Sequence, residues 1–194
     1  MGLLKLKSCL NILGILLGIL SCAMISQAAG LSAAHRLQIE LIPGAKKLIG
    51  QNDITIKTDG TAVLEFRLTK RATRIEVQVN KNSRNFNFEN DRLRLTLKPS
   101  EISREVQVTI HYSATFDDPV PMHPINMDNP GFGVTATISE KGSFLLAGAG
   151  WYPELVDSTA SYKVTVTAPS GQIAVTAGRS LGHRTKNGKT VSDW

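Results

Sequence analysis

Apolar and polar residues alternate with a period of two along most of the chain. In the first run, Leu37, Ile39 and Leu41 alternate with Gln38 and Glu40. Because successive side chains of a β-strand point to opposite faces, such a run buries one face of a sheet and leaves the other in solvent. Comparable runs follow at residues 54–57, 63–68, 75–79, 92–98, 106–111, 134–138, 143–146, 162–167 and 173–176, and residues 189–194 resemble the start of another. The pattern predicts an all-β chain.

Turn-forming residues separate these runs. They occur at residues 43–44, 58–60, 81–82, 89–91, 98–100, 141–142, 169–171 and 186–188. In the last two turns a glycine can adopt the positive φ angle of a tight hairpin. Short strands at this spacing predict an antiparallel β-sandwich or an open barrel. Residues 117–133, with four prolines, form the one long break and predict a surface excursion between two groups of strands.

The first 28 residues have a different pattern. Lys5 and Lys7 precede an apolar run at residues 9–25, and Ser26-Gln27-Ala28 matches a small-x-small cleavage site. This arrangement predicts a secretory signal peptide over residues 1–28 and an exported β domain over residues 29–194, in the periplasm, secreted or attached to the envelope. Two alternatives stay open: an uncleaved membrane anchor, and a lipoprotein acylated at Cys22, since Ile19-Leu20-Ser21-Cys22 resembles a bacterial lipobox.

Composition narrows the class of protein. A hydrophobic fraction of 42% excludes a disordered chain. Loss of Lys5 and Lys7 with the signal lowers the formal net charge from +6 to +4, which is ordinary for solubility and does not indicate nucleic-acid binding. Both cysteines, Cys9 and Cys22, lie in the signal, so the mature domain is expected to depend on core packing without a disulfide. Contact with a membrane is expected only through the N-terminal segment.

Three stretches together resemble the aminopeptidase N family of zinc metallopeptidases. They are Gly148-Ala149-Gly150-Trp151-Tyr152-Pro153, residues 162–169 with the pattern Y-x-V-x-V-x-x-P, and residues 173–178, which end in small residues and glycine. Residues 35–43 and 48–50 are similar to the opening strand pair of that family's N-terminal domain. The resemblance spans about residues 35–194 and implies a saddle-like, mainly antiparallel β domain.

The catalytic motif of that family is absent from this sequence. A zinc peptidase needs a helical H-E-x-x-H motif with two histidines as zinc ligands and a glutamate as general base. His35, His111, His123 and His183 include no pair at that spacing. The resemblance therefore implies a noncatalytic module without metal or cofactor, ending at Trp194 before a catalytic domain. Its expected role is to cap that domain, in the same or a separate chain, and to wall one side of a peptide-binding cleft.

Trp151, Tyr152 and Pro153 are the candidate binding residues. Their aromatic faces, next to flexible glycines, could stack on a peptide or a sugar. The alternative is that both rings plug the sandwich where the second group of strands begins. A rival function uses the same residues together with the loop at residues 117–133: a free-standing envelope module that binds peptide or glycan, anchored through Cys22 if the chain is a lipoprotein.

The remaining candidate residues have simpler interpretations. Asp117, Asp118, Met122, His123, Met127 and Asp128 are potential metal ligands, but their spacing matches no metal motif and exposed loops often contain such residues. The adjacent Asp117 and Asp118 are expected to point to opposite sides, which disfavours an acid–base pair. His111 is expected to be a solvated sheet residue, and the basic residues at 67–74 and 179–189 are expected on solvated faces and turns.

Overall fold

The computed structural model describes residues 31–120 and 134–194. The predicted signal segment, Cys22 and four of the candidate ligands (Met122, His123, Met127 and Asp128) lie outside the described residues. The described part is built almost entirely from strands: β1 (Leu31–Ile42), β2 (Lys47–Lys57), β3 (Val63–Arg67), β4 (Ala72–Val79), β5 (Asn82–Ser83), β6 (Asn87–Glu89), β7 (Arg92–Thr96), β8 (Glu105–Thr115), β9 (Ala136–Ser139), β10 (Gly142–Leu145), β11 (Glu154–Leu155), β12 (Ser158–Pro169), β13 (Gly182–Lys186) and β14 (Lys189–Asp193). Short 3-10 turns occur at Pro43–Ala45, Pro99–Glu101 and Ala147–Ala149.

The strands form one large sheet and two small ones. The eight-stranded sheet has the order β13-β14-β12-β1-β2-β8-β4-β5, the four-stranded sheet has the order β11-β3-β7-β6, and β9 and β10 form a two-stranded sheet. The all-β sandwich predicted from the alternation is confirmed. No helix among the described residues is long and apolar enough to cross a membrane.

One pair of strands in the large sheet departs from the antiparallel prediction. β1 and β12 are parallel, with His35 opposite Tyr162 and Ile39 opposite Val166. A hairpin can join only antiparallel neighbours, but β12 is separated from β1 along the chain by all the strands of the four-stranded and two-stranded sheets. The long connection therefore permits a parallel pairing that local alternation does not reveal.

The core lies between the large sheet and the four-stranded sheet. Alternate residues of β1, β2 and β8 point toward it, and Leu64, Phe66, Leu93 and Leu95 face them from β3 and β7. β8 continues to Thr115, beyond the predicted run at residues 106–111, and this extension places Tyr112 in the core with 2% of its surface exposed.

Two of the predicted turns have the expected backbone. Asn187 and Gly188, at φ 50 and 70°, join β13 to β14, and Asn90 and Asp91, at φ 49 and 63°, join β6 to β7. Positive φ at both central residues gives the twist that a two-residue hairpin needs. The sequence pattern therefore located these hairpins correctly.

The predictions for residues 169–176 need correction. The turn at residues 169–171 does not lead into a hairpin, and residues 172–176 pair with no described strand. β12 is flanked by β1 and β14, so neither of its edges is open to the next segment. Ala174 instead lies beside β14, where its N–H donates to Ser192 Oγ at 3.2 Å and its carbonyl accepts from Trp194 Nε1 at 3.3 Å.

Candidate functional site around Trp151 and Tyr152

Residues 150–154, here called the aromatic segment, connect the Ala147–Ala149 turn to β11. Gly150 adopts φ +61°, and its carbonyl accepts a hydrogen bond from Thr69 N at 2.8 Å. A Cβ at Gly150 would lie 2.8 Å from that same nitrogen, which is closer than real Cβ contacts come. Glycine is therefore required here both for the left-handed backbone and for the close approach to Thr69.

Side chains from the large sheet hold the next carbonyl groups of the segment. Tyr112 Oη donates to the carbonyl of Trp151 at 2.9 Å, and Asn52 Nδ2 donates to the carbonyl of Pro153 at 2.9 Å. Asn52 is fully buried, and the Pro153 side chain is buried as well. Each bond satisfies a backbone group that burial would otherwise leave without a partner. The segment is thus fixed to the core rather than free at the surface.

Four rings form a contiguous cluster above this anchor. Trp151 and Tyr152 meet edge to face with centroids 4.6 Å apart, and Tyr152 meets Tyr162 edge to face at 5.8 Å. His35 stacks on Tyr162 at 4.8 Å. These are favourable aromatic geometries. Trp151 and Tyr152 are half-buried and Tyr162 is 42% exposed, so the cluster has a core side and a solvent side.

His35 is the buried polar member of the cluster. Asn52 Nδ2 donates to its Nδ1 at 2.9 Å, which places the imidazole proton on Nε2. Nε2 has no hydrogen-bond partner among the described residues, and neither has Asn52 Oδ1. Burial lowers the pKa of His35 from 6.5 to about 4, because the charged imidazolium would lose its hydration. His35 is therefore neutral at physiological pH.

Tyr112 and Tyr152 also remain uncharged. Burial raises the pKa of Tyr152, with a further contribution from the Tyr162 hydroxyl, and burial raises the pKa of Tyr112 well above its usual range. Glu154, at the end of the segment, forms an ion pair with Arg67 of β3. The site therefore presents aromatic faces and neutral hydroxyls at neutral pH, which suit packing and binding rather than proton transfer.

The two adjacent aspartates differ from the prediction. Both carboxylates reach Arg71: Nη2 is 2.6 Å from Asp118 Oδ1, and Nη1 is 3.7 Å from Asp117 Oδ1. Asp118 Oδ2 also accepts from Thr135 N at 2.9 Å and from Ala136 N at 3.0 Å. The Ala136 and Arg71 hydrogen bonds lower the pKa of Asp118 to about 2. Strand alternation does not govern the directions of these two side chains, because residues 117–118 lie beyond the end of β8. The hydrogen bonds of Asp118 link the end of β8 to β9.

The remaining candidates are the potential metal ligands, His111 and the basic residues. No group of three or more histidine, cysteine, aspartate or glutamate residues within residues 31–120 and 134–194 could hold a metal ion. His111 lies on the face of β8 opposite the core and is half-buried, not fully solvated. In the basic regions, Arg184 of β13 pairs with Asp193 of the neighbouring β14, and Lys189 of β14 pairs with Glu40 of β1, across the intervening β12.

Sequence reasoning identified Trp151, Tyr152 and Pro153, and the structure brings these together with four residues that it missed: His35, Asn52, Tyr112 and Tyr162. The signal for two of them was present. His35 and Asn52 are polar residues at positions where the alternation of β1 and β2 demands apolar ones. A buried polar residue needs a specific partner, so both positions indicated a hydrogen-bonded site in the core. The binding role of Trp151, Tyr152 and Pro153 stays a prediction.

Comparison with solved structures shows the same fold in M1 zinc metallopeptidases. The enzyme from Deinococcus radiodurans matches with a TM-score of 0.60 and 19% identity, over 86% of this chain and 39% of that chain. A variant of it bound to a Tyr-Ser-Ala substrate matches with a TM-score of 0.61 and 18% identity, over 85% and 39% of the two chains. Legionella pneumophila aminopeptidase A in complex with aspartic acid matches with a TM-score of 0.58 and 14% identity, over 88% and 20%.

The likeness is one of fold, and it covers part of each peptidase. The chain spans about two fifths of the Deinococcus enzyme and one fifth of the Legionella enzyme. No family profile matches the sequence, and no curated protein matches it in a sequence comparison. The β domain that the resemblance implied is confirmed as a fold.

Proposed function

We propose that residues 29–194 form a noncatalytic β domain that packs against a zinc-binding catalytic domain and walls one side of its peptide-binding cleft. The observation that carries this proposal is the shared fold: most of this chain superposes on a minor part of M1 zinc metallopeptidases. In those proteins more than half of the polypeptide lies outside the matched part. A domain of this fold can thus serve as one module of a larger enzyme.

The aromatic segment is suited to form a wall of the peptide-binding cleft. Its carbonyl groups at Gly150, Trp151 and Pro153 are each held by a hydrogen bond from another part of the domain. Surfaces that are rigid before contact lose less conformational entropy on association than mobile loops do. Half-buried aromatic side chains are also enriched at protein interfaces. The segment is therefore the part of the surface that we assign to the cleft side.

An activity assay tests the noncatalytic part. The purified full chain, supplied with zinc, should not hydrolyse aminoacyl 4-nitroanilides above the buffer rate. Turnover that co-purifies with the chain and stops on addition of a chelator would overturn the proposal.

Association tests the architectural part. The chain, tagged in its own host, should be isolated with an H-E-x-x-H segment, either in the same polypeptide or in a stoichiometric partner identified by mass spectrometry. Tyr162→Glu, at the exposed side of the ring cluster, should weaken a two-chain assembly, whereas Val63→Glu, an exposed residue on β3, should not. Isolation of a monomer without such a segment would contradict the capping role.

Export is part of the proposal. Residues 1–28 should direct the chain out of the cytoplasm, and N-terminal sequencing of the mature protein should begin at Ala29. A mature N-terminus at Cys22 that partitions into detergent would instead establish the lipoprotein. Full-length protein retained in the cytoplasm would contradict export in either form.

A further inference from the structure

An apolar groove of about 410 Å³ lies beside Trp151. Its floor is formed by core-face residues of the parallel strands β1 and β12, among them Ile39, Val164 and Val166. One wall is β10 and the other is residues 172–176. This volume is within the range of about 300–1,000 Å³ that is usual for ligand sites. None of the described residues that line the groove is charged.

Within residues 31–120 and 134–194, the β10 wall has an open hydrogen-bonding edge. Glu140 and Lys141 form a two-residue turn, with Ser139 opposite Gly142, and β10 pairs with β9 as its one described neighbour. In an antiparallel pair, alternate residues direct their N–H and C=O groups toward the partner and away from it. Leu146 N donates to Thr135 O at 3.1 Å, which sets the phase of that alternation. The backbone groups of Ser143 and Leu145 therefore point away from β9.

The opposite wall, residues 172–176, has the composition of a β-strand but forms no β-ladder with the described strands. Residues 172–176 pair with no described strand, yet Ala174 is fixed to β14 through Ser192 and Trp194. Ile173 and Val175 remain 55% and 81% exposed at the rim of the groove. Exposed β-branched residues on an anchored segment next to an apolar floor are typical of a surface that a partner covers.

We propose that this groove binds an extended, uncharged peptide segment of a separate polypeptide, which adds as a strand to β10 and places alternate apolar side chains on the floor. Backbone bonds to Ser143 and Leu145 supply one set of contacts, and the floor selects side chains by polarity, as in other sheets that bind peptides by strand addition. The bound segment is uncharged because the described residues that line the groove are uncharged. An inward Lys, Arg, Asp or Glu would be desolvated without an opposite charge.

This inference does not depend on the proposed function, because the groove and the open edge are features of this domain alone. The sequence analysis gave a peptide-binding module as the rival function, and the groove supplies a specific binding site for it. In this site Trp151 lines the groove and is not an exposed platform. The floor lies on the core face of β12, away from the polar outer face of the large sheet.

The probe is a fluorescein-labelled, end-blocked peptide with seven alternating Val and Thr residues and two lysines at each end for solubility. Fluorescence anisotropy with the full chain should show saturable binding. Replacing the central Val by Asp should weaken binding at least tenfold. N-methylation of alternate residues on the β10 side should also weaken binding at least tenfold, because it removes the donors without removing apolar surface.

Hydrogen exchange locates the bound peptide. At saturation the amides of Ser143 and Leu145 should exchange at least tenfold more slowly, whereas the Phe144 amide, already in the ladder with Thr137, should be unchanged. Ile173→Glu should reduce affinity at least tenfold. Val63→Glu, an exposed substitution on β3 outside the groove, should bind as the unmodified chain does.

Three results would overturn the proposal. One is the absence of saturable binding by a chain that retains its β-sheet circular dichroism. The second is binding that is insensitive both to N-methylation and to Ile173→Glu. The third is a concentration-dependent dimer that Ile173→Glu abolishes, with no peptide binding, because the occupant would then be a second copy of this chain.

Discussion

The ring of Tyr112 lies directly over the backbone of Gly50, the residue opposite it in the neighbouring strand. Any Cβ at Gly50 would overlap the Cζ and Oη atoms of the tyrosine. The missing side chain lets the ring cross β2, so that its hydroxyl reaches the carbonyl of Trp151 at 2.9 Å. Gly50 therefore helps to position the aromatic segment, although a glycine in the middle of a strand weakens that strand.

Gly50→Ala should displace the Tyr112 ring and break its bond to Trp151. Overpacking of a core costs about 1–3 kcal/mol, and the unsatisfied carbonyl adds about 1 kcal/mol or more. Urea unfolding should therefore show a loss of about 2–4 kcal/mol, with a change in tryptophan fluorescence of the native state.

Gly148→Ala is the matched control for that substitution. No heavy atom of the described residues lies within 4 Å of a Cβ built at Gly148, and its φ is not positive. Its stability should stay within about 0.5 kcal/mol of the unmodified chain. Equal effects of the two substitutions would contradict the packing of Tyr112 on Gly50.

Gly150 and Gly188 separate the effect of backbone conformation from that of close contact. Both have positive φ, +61° and +70°, but only Gly150 has a neighbour, Thr69 N, within 3 Å of its Cβ position. Gly188→Ala should cost about 1 kcal/mol from φ strain alone. Gly150→Ala should cost at least about 1 kcal/mol more, because the aromatic segment must move away from Thr69. Equal losses in chemical denaturation would show that Gly150 makes no close contact.

His35 should make stability depend on pH between about 6.5 and 4. Its pKa is lowered in the folded state, so the unfolded chain binds a proton first as the pH falls. The stabilisation is complete above pH 6.5 and is lost progressively toward pH 4, by about 3 kcal/mol for a shift of this size. The measurement is the free energy of unfolding in urea at pH 7.0, 5.5 and 4.5.

His35→Phe keeps a ring against Tyr162 and removes the titrating group. The variant should be less stable at pH 7, because Asn52 loses a partner, but its stability should change less between pH 6.5 and 4. His183→Phe, in which an exposed histidine is lost, is the control and should follow the unmodified chain. A pH slope that His35→Phe leaves unaltered would be inconsistent with a buried neutral histidine.

Asp118→Asn tests the link between β8 and β9. The pKa of Asp118 is lowered to about 2, so its contribution is present above pH 3.8 and is lost as the pH falls toward 2. The substitution should destabilise by about 1 kcal/mol at pH 7, since charge-assisted bonds become neutral ones. The difference from the unmodified chain should vanish near pH 2. Asp117→Asn, with one contact at 3.7 Å, should have a smaller effect.

Several features of the fold could be predicted because they are local. Alternation identifies the buried face of β1, β2, β7 and β8, and Asn187-Gly188 identifies a hairpin turn, since each depends on residues a few positions apart. Residues 173–176 show the limit of this reasoning. Their composition is that of a strand, but a strand exists only where another has an open edge, and β14 already occupies the edge of β12.

The candidate site shows the same division. Trp151, Tyr152 and Pro153 are contiguous in the chain and could be identified from their residue types, whereas Asn52 and Tyr112 reach them from strands 101 and 39 residues away.

The sequence by itself determined the all-β class, the faces that are buried and the positions of several hairpin turns, because side-chain direction and turn geometry are properties of short stretches. Only the tertiary structure decided the parallel pairing of β1 with β12, the crossing of Gly50 by Tyr112 and the apolar groove beside β10. These features depend on which distant segments become neighbours, and that choice is made by packing of the whole core rather than by the pattern within any one strand.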